Sequence, residues 1–160
     1  MKIGILLASA SFLLGFIASI LLTNFYANFL NLEFPLSKSG EIISPYDHVK
    51  ESQIDVYGDR VVINLEDVSL AEYANTNSMD PLLDEYSNGL EVKPESEDDL
   101  HIGDVVAYQT SIGLVIHRIV GIDYDEKGKY FVLKGDNNQE KDPMKVRFNE
   151  IKYLLVGVIY

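Results

Sequence analysis

A serine at position 78, a histidine at 117 and aspartates at 136 and 142 are the residues whose types could together perform nucleophilic chemistry. Ser78 lies in the run Asn75-Thr76-Asn77-Ser78-Met79-Asp80-Pro81. Asparagine and threonine bond readily to local backbone, and proline fixes φ and lacks a donor, so the run predicts a rigid loop rather than a helix. A serine hydroxyl is a poor nucleophile until a base takes its proton, and a histidine suits that task near neutrality. The chain has 3 histidines. His48 falls in a polar connector and reads as a solvent-exposed loop residue. His101 stands at a strand entrance and reads as a surface residue. His117 lies inside the β-branched run 114–120, where an imidazole needs a partner. Taken alone, it reads as a structural histidine. Asp136, in the turn Lys134-Gly135-Asp136-Asn137-Asn138, could accept its Nδ1 proton and fix the tautomer. Asp142, before Pro143, is the competing candidate, and both aspartates are also ordinary turn formers. Lys134 is another conceivable base, read here as structural because it sits at a strand end.

These residues need a scaffold, and the pattern around them is one of short strands. Segments 54–57 and 60–65 flank Gly58-Asp59 as a hairpin. Segment 68–73 reads as either one helical turn or an irregular strand. Segment 90–93 alternates, and 94–99 is an acidic turn, read as solvated rather than metal-binding. Gly103-Asp104 leads into the strand 105–108, and Gly113 separates it from 114–120. Lys127-Gly128 marks a hairpin to 130–133, with Gly121 and Ile122 opposite roughly Tyr130. Segment 151–160 closes the sheet. Strands this short with turns between them predict a mainly β fold, a barrel or rolled sheet rather than a parallel α/β architecture. No acidic cluster has convincing ligand spacing, so neither metal nor other cofactor is expected.

Residues 3–22 are apolar or small, and no charge follows Lys2 until Glu33. At ~1.5 Å per residue such a run spans ~30 Å, the thickness of a bilayer core. The length exceeds the apolar region of a cleaved signal, and Ala8-Ser9-Ala10 falls too early for cleavage, so an uncleaved transmembrane helix is expected. Lys2 keeps the amino terminus cytoplasmic and places the remainder on the exterior face. Tyr26 and Phe29 fit an interfacial belt there. Gly4, Ala8, Ser11, Gly15 and Ser19 leave room for a partner helix, although small residues are ordinary in such spans. The expected organisation is an anchor over 1–30, a connector over 31–52 and a β domain over 53–160. The absence of cysteine excludes disulfides and thiol catalysis. A formal net charge of −12 argues against nucleic acid or anionic lipid as the main partner.

Ser78-Met79-Asp80-Pro81, Gly103-Asp104-Val105-Val106-Ala107-Tyr108, His117-Arg118-Ile119-Val120 and Lys134-Gly135-Asp136-Asn137-Asn138 with Asp142-Pro143 resemble, in order, the boxes of the type I signal peptidases. Bacterial members use a serine-lysine pair, whereas a histidine at position 117 resembles the archaeal and endoplasmic-reticulum type. The resemblance implies a signal-peptidase-like β domain behind one N-terminal anchor. It implies Ser78 as nucleophile, His117 as general base, and Asp136 or Asp142 orienting the base. It also implies an oxyanion site from the Ser78 backbone N–H and the Thr76 hydroxyl, the latter equally accounted for by loop hydrogen bonding. The implied substrates are signal peptides of exported preproteins, bound as an added strand. The implied surroundings are the lipid bilayer and other membrane subunits. Two other readings are an anchored non-catalytic β module that binds exported chains, and a serine peptidase that cuts itself or a dedicated regulator.

Overall fold

The computed structural model describes residues 15–22 and 42–160. Residues 15–22 are helical, and Phe16, Ile17, Leu21 and Leu22 along them are exposed. Among the described residues no helix is long and apolar enough to cross a membrane. Most of the expected span 3–22, with Tyr26 and Phe29, lies outside the described residues.

The second unit, Ile42–Tyr160, is mainly β. Strands β1 (Ile54–Val56) and β2 (Val61–Ile63) form a separate hairpin, closed by Tyr57 N–H donating to the Arg60 carbonyl at 2.9 Å. This is the hairpin expected around Gly58-Asp59. The remaining strands are β3 (Ser69–Glu72), β4 (Asn88–Val92), β5 (Val105–Thr110), β6 (Gly113–Asp125), β7 (Gly128–Lys134) and β8 (Ile151–Ile159). They form one antiparallel six-stranded sheet in the order β3-β4-β8-β5-β6-β7. The pairing is open, with β3 and β7 at the edges. Register shifts at Leu90/Glu91, Ala107/Tyr108 and Ile119/Gly121 mark bulges, which bend strands and roll a sheet. The ambiguous segment 68–73 is therefore a strand. The β6–β7 hairpin turns where expected, but its register differs. Asp123 opposes Tyr130, while Gly121 opposes Val132, because Asp125 pairs with Gly128 across a two-residue loop, and the bulge between Ile119 and Gly121 lies beyond these pairs.

Alternation along the central strands sends successive side chains to two cores. Val106, Tyr108, Ile119, Phe131, Leu133 and Leu154 are buried together on one side. Val105, Met79, Leu83 and Leu155 form the other cluster, with Ile116 packed against it. The Ser78 loop is thus held to the sheet by its own neighbour, Met79.

Asp104, His117 and Arg118 are buried where β5 enters the sheet beside β6. Asp104 is 0% exposed. Burial alone would push its carboxyl up, but the His48 ring beside it and N–H donors from His101 and Tyr46 outweigh that and hold it below the usual range. Tyr46 and His48 therefore dock segment 42–50, read from sequence as part of a connector, onto the β domain. His48 is correspondingly not the exposed loop residue expected. Gly103 has φ 105°, and a Cβ there would run into the Ser44 carbonyl, so this glycine permits the same docking.

Candidate active site

Ser78 sits on the wall of a cleft of about 560 Å³, with Thr76 and Met79 beside it. Two strand edges flank the cleft. One is β3, the outer strand of the sheet, through Ser69, Leu70 and Ala71. The other is the first half of β6, through Leu114, Val115 and Ile116. Strand β7 pairs with β6 only from Arg118 onward, so among the described strands residues 113–117 are unpaired on that side. Such edges present a row of backbone donors and acceptors to an extended peptide.

The serine loop is fixed from the β7 side. Asn137 N–H donates to the Ser78 carbonyl at 3.0 Å, and the Asn137 side-chain amide donates to the Asn77 carbonyl at 2.9 Å. Asn77 itself has φ 59°, a left-handed conformation that asparagine tolerates. A Cβ on Gly135 would lie 2.5 Å from the Ser78 carbonyl, so only glycine lets the two loops approach this closely. The hydroxyls of Thr76 and Ser78 are hydrogen-bonded at 3.1 Å.

His117 and Asp142 form a pair. His117 Nδ1 lies 2.7 Å from Asp142 Oδ2, and the two side chains are only 9% and 12% exposed. The Tyr108 hydroxyl donates to the same carboxylate oxygen at 2.8 Å. Tyr108 and His117 meet because Val106 opposes His117 and Tyr108 opposes Val115, which places both rings on one face of the sheet. Asp142 arrives from beyond β7, its N–H bonded to the Leu133 carbonyl at 2.8 Å. Burial alone would raise the Asp142 carboxyl, but hydrogen bonds from His117 and Tyr108 outweigh it and hold the group below its usual range. The Tyr108 hydroxyl is pushed up by burial and by the adjacent Asp142. An ionised carboxylate on Nδ1 leaves Nε2 as the ring nitrogen able to take a proton.

Asp136 has a different partner. It faces Arg118 in a two-pronged pair, with Nε to Oδ1 at 2.7 Å and NH2 to Oδ2 at 2.6 Å. Of the two aspartates proposed to orient His117, the structure brings Asp142 to the ring and commits Asp136 to the neighbouring arginine. Alternation explains the division, since adjacent residues of β6 point to opposite faces. Leu114, Val115 and Ile116 line the cleft, whereas His117, the next residue along β6, does not. Among the described residues no hydrogen bond joins Ser78 to His117, and the serine hydroxyl is bonded to Thr76 instead. The serine and histidine are linked through neighbours. Asn137 holds the serine loop beside β7, and Lys134 at the end of β7 opposes Arg118.

One cleft residue was not anticipated. Glu91, on β4, is 4% exposed and accepts a hydrogen bond from the Tyr73 hydroxyl at 2.9 Å. Burial pushes its carboxyl up despite the Tyr73 bond. Burial, and then Glu91 itself, pushes the Tyr73 hydroxyl up in turn. Polar residues in an alternating strand ordinarily face water, and nothing in 90–93 signalled the reverse. No protein-family model, curated protein or solved structure matches this chain.

Proposed function

We propose that the chain is a serine hydrolase in which Ser78 is the nucleophile, His117 the general base and Asp142 the residue that orients the base. More narrowly, it is a membrane-anchored endopeptidase that removes N-terminal signal peptides from exported preproteins. The observation that carries the reading is the His117–Asp142 pair at 2.7 Å, buried and braced by Tyr108. The ordered resemblance to the type I signal peptidases narrows it to signal peptides. In this reading the preprotein lies in the cleft as an added strand between the edges of β3 and β6, which brings its scissile carbonyl to Ser78. The Ser78 hydroxyl leaves Thr76 for the His117 Nε2 as the proton is transferred. Residues 3–22 hold the domain on the exterior face of the bilayer, beside other membrane subunits. No cofactor takes part.

The test is incubation of the full chain, in detergent micelles, with a preprotein. Wild type releases mature protein and signal peptide, and the Ser78→Ala chain does not. Equal cleavage by both chains, or by neither, rules the reading out. The lack of a Ser78–His117 hydrogen bond favours a second reading, a non-catalytic anchored module that binds exported chains in the same cleft. Binding without cleavage in that assay selects it.

Thr76 has its own expected effect. If its hydroxyl donates to the oxyanion, Thr76→Val lowers kcat by about 10²–10³-fold with little change in KM, and Thr76→Ser restores most of the loss. An unchanged kcat for Thr76→Val leaves Thr76 a loop-stabilising residue only.

A further inference from the structure

Away from the cleft, His48, His101 and Asp104 bring metal-ligating atoms to within 4.8 Å of one another. Asp104 is fully buried, and its orientation is set from both sides. Oδ1 accepts the Tyr46 N–H and Oδ2 accepts the His101 N–H, each at 2.8 Å. One lone pair remains on each oxygen. The His48 side chain is 14% exposed, and its Nε2 is 3.0 Å from Oδ1. That nitrogen is nevertheless buried with no hydrogen-bond partner. His101 Nδ1 lies 3.8 Å from Oδ2 and 3.1 Å from the Asp99 carbonyl. The Tyr46 ring packs against both imidazoles, stacked on His101 at 4.0 Å and edge-on to His48 at 5.4 Å.

Buried polar atoms are nearly always satisfied, so an orphaned imidazole nitrogen beside a carboxylate asks what would satisfy it. A metal ion set between the two atoms does. Ligand bonds of about 2.0–2.1 Å in tetrahedral geometry put donor atoms roughly 3.3–3.4 Å apart. His48 Nε2 lies 3.0 Å from one carboxylate oxygen and His101 Nδ1 3.8 Å from the other, and the three ligand atoms fall within 4.8 Å, so the set must draw closer to reach that spacing. The adjustment needed falls on His101, whose side chain is 40% exposed and can turn away from the Asp99 carbonyl. Two imidazoles with one carboxylate suit zinc and its neighbours, whereas calcium and magnesium call for oxygen ligands.

We propose that His48, His101 and Asp104 form a binding site for one divalent transition-metal ion of the zinc type, with a fourth position open to water. The backbone donors of Tyr46 and His101 orient the ligating carboxylate from behind. The ion staples segment 42–50 to the turn that enters β5. It also reaches β6, because the Asp104 carbonyl accepts the Ile119 N–H at 2.8 Å and Gly103 N–H donates to the Ile119 carbonyl at 2.8 Å. Histidines so far apart in sequence carry no ligand-spacing signature, which is why none was read from the chain.

The experiment is a titration of the chelator-stripped full chain, in detergent micelles, with Zn²⁺ by calorimetry and with Co²⁺ by visible absorption. We expect one ion per chain and the intense bands of four-coordinate Co²⁺. His48→Gln and His101→Gln should each weaken Zn²⁺ at least about tenfold. Glu126→Gln, an exposed acidic control, should leave it unchanged. His101 is exposed enough for its variant to fold, so the result stands even if His48→Gln does not. Three outcomes overturn the site: no saturable Zn²⁺ binding, binding that survives His101→Gln, or only the weak bands of octahedral Co²⁺ held adventitiously on the acidic surface.

Discussion

A Ser78→Ala chain should cleave a preprotein about 10⁶-fold more slowly than wild type, and an Asp142→Asn chain about 10⁴-fold more slowly. The first loss is that of the nucleophile itself. The second follows from the tautomer of His117. Asp142 Oδ2 lies 2.7 Å from Nδ1 and accepts its proton, which keeps Nε2 bare. An asparagine amide in the same place can donate to Nδ1, which puts the ring proton on Nε2, where a general base cannot carry one. The substitution conserves shape, so folded protein is expected, and kcat per folded molecule is the quantity to measure. Asp136→Asn is the contrasting variant, since Asp136 contacts Arg118 and not the ring. Its folded fraction should retain activity within about tenfold, and activity lost equally by both aspartate variants would sink the assignment. A pH series gives an independent readout. The folded Asp142 carboxyl is held below its unfolded value, so its contribution to stability is fully present above that value and disappears as pH falls through the folded one. The difference in Tm between wild type and Asp142→Asn should therefore shrink as the pH falls below about 4.

Much of this arrangement was legible in the residues. Short β-branched runs between Gly and Asp-Pro punctuation place β5 to β8, and the hairpin at Lys127-Gly128 is local turn chemistry. The Ser78 loop was equally readable, because its asparagines and proline act on their own backbone. What was not legible depends on register. Choosing between Asp136 and Asp142 requires knowing which face each turn residue leaves from, and the Ile119/Gly121 bulge shifts the counting along β6 against β7. Glu91 faces inward against the ordinary alternation of a half-buried strand, in the strand whose pairing shifts at Leu90/Glu91. His48 is packed by a carboxylate far along the chain, a contact with no local signature. These misses lie on the step from local structure to packing, whereas the β6–β7 register was missed locally, at the two-residue turn after Asp125.

The largest expected loss of stability comes from Arg118→Ala. Its guanidinium is 7% exposed and holds the 5% exposed Asp136 by two parallel bonds. The remaining terminal nitrogen donates to the Gly103 carbonyl at 2.6 Å and to the Ile43 carbonyl at 3.2 Å. Alanine leaves a buried carboxylate without a counter-charge and strips both carbonyls of their donor. Breaking a buried pair from one side costs about 3–5 kcal/mol, which corresponds to roughly 10–20 °C in Tm for a domain of this size. Lysine is no remedy, because a single ammonium cannot span the carboxylate and the Gly103 carbonyl together. The double variant Arg118→Met with Asp136→Leu removes the stranded charge as well, so it should be more stable than Arg118→Ala despite carrying one more substitution. Thermal melts of the four chains decide the matter. A fall of only a few degrees for Arg118→Ala would show that Asp136 finds water or another donor. A double variant no better than the single one would locate the loss in the Gly103 and Ile43 contacts rather than in the charge. Either way Arg118, next to the proposed base, ties the loop that carries Asn137, and through it the serine loop, to the Ile43 carbonyl of segment 42–50.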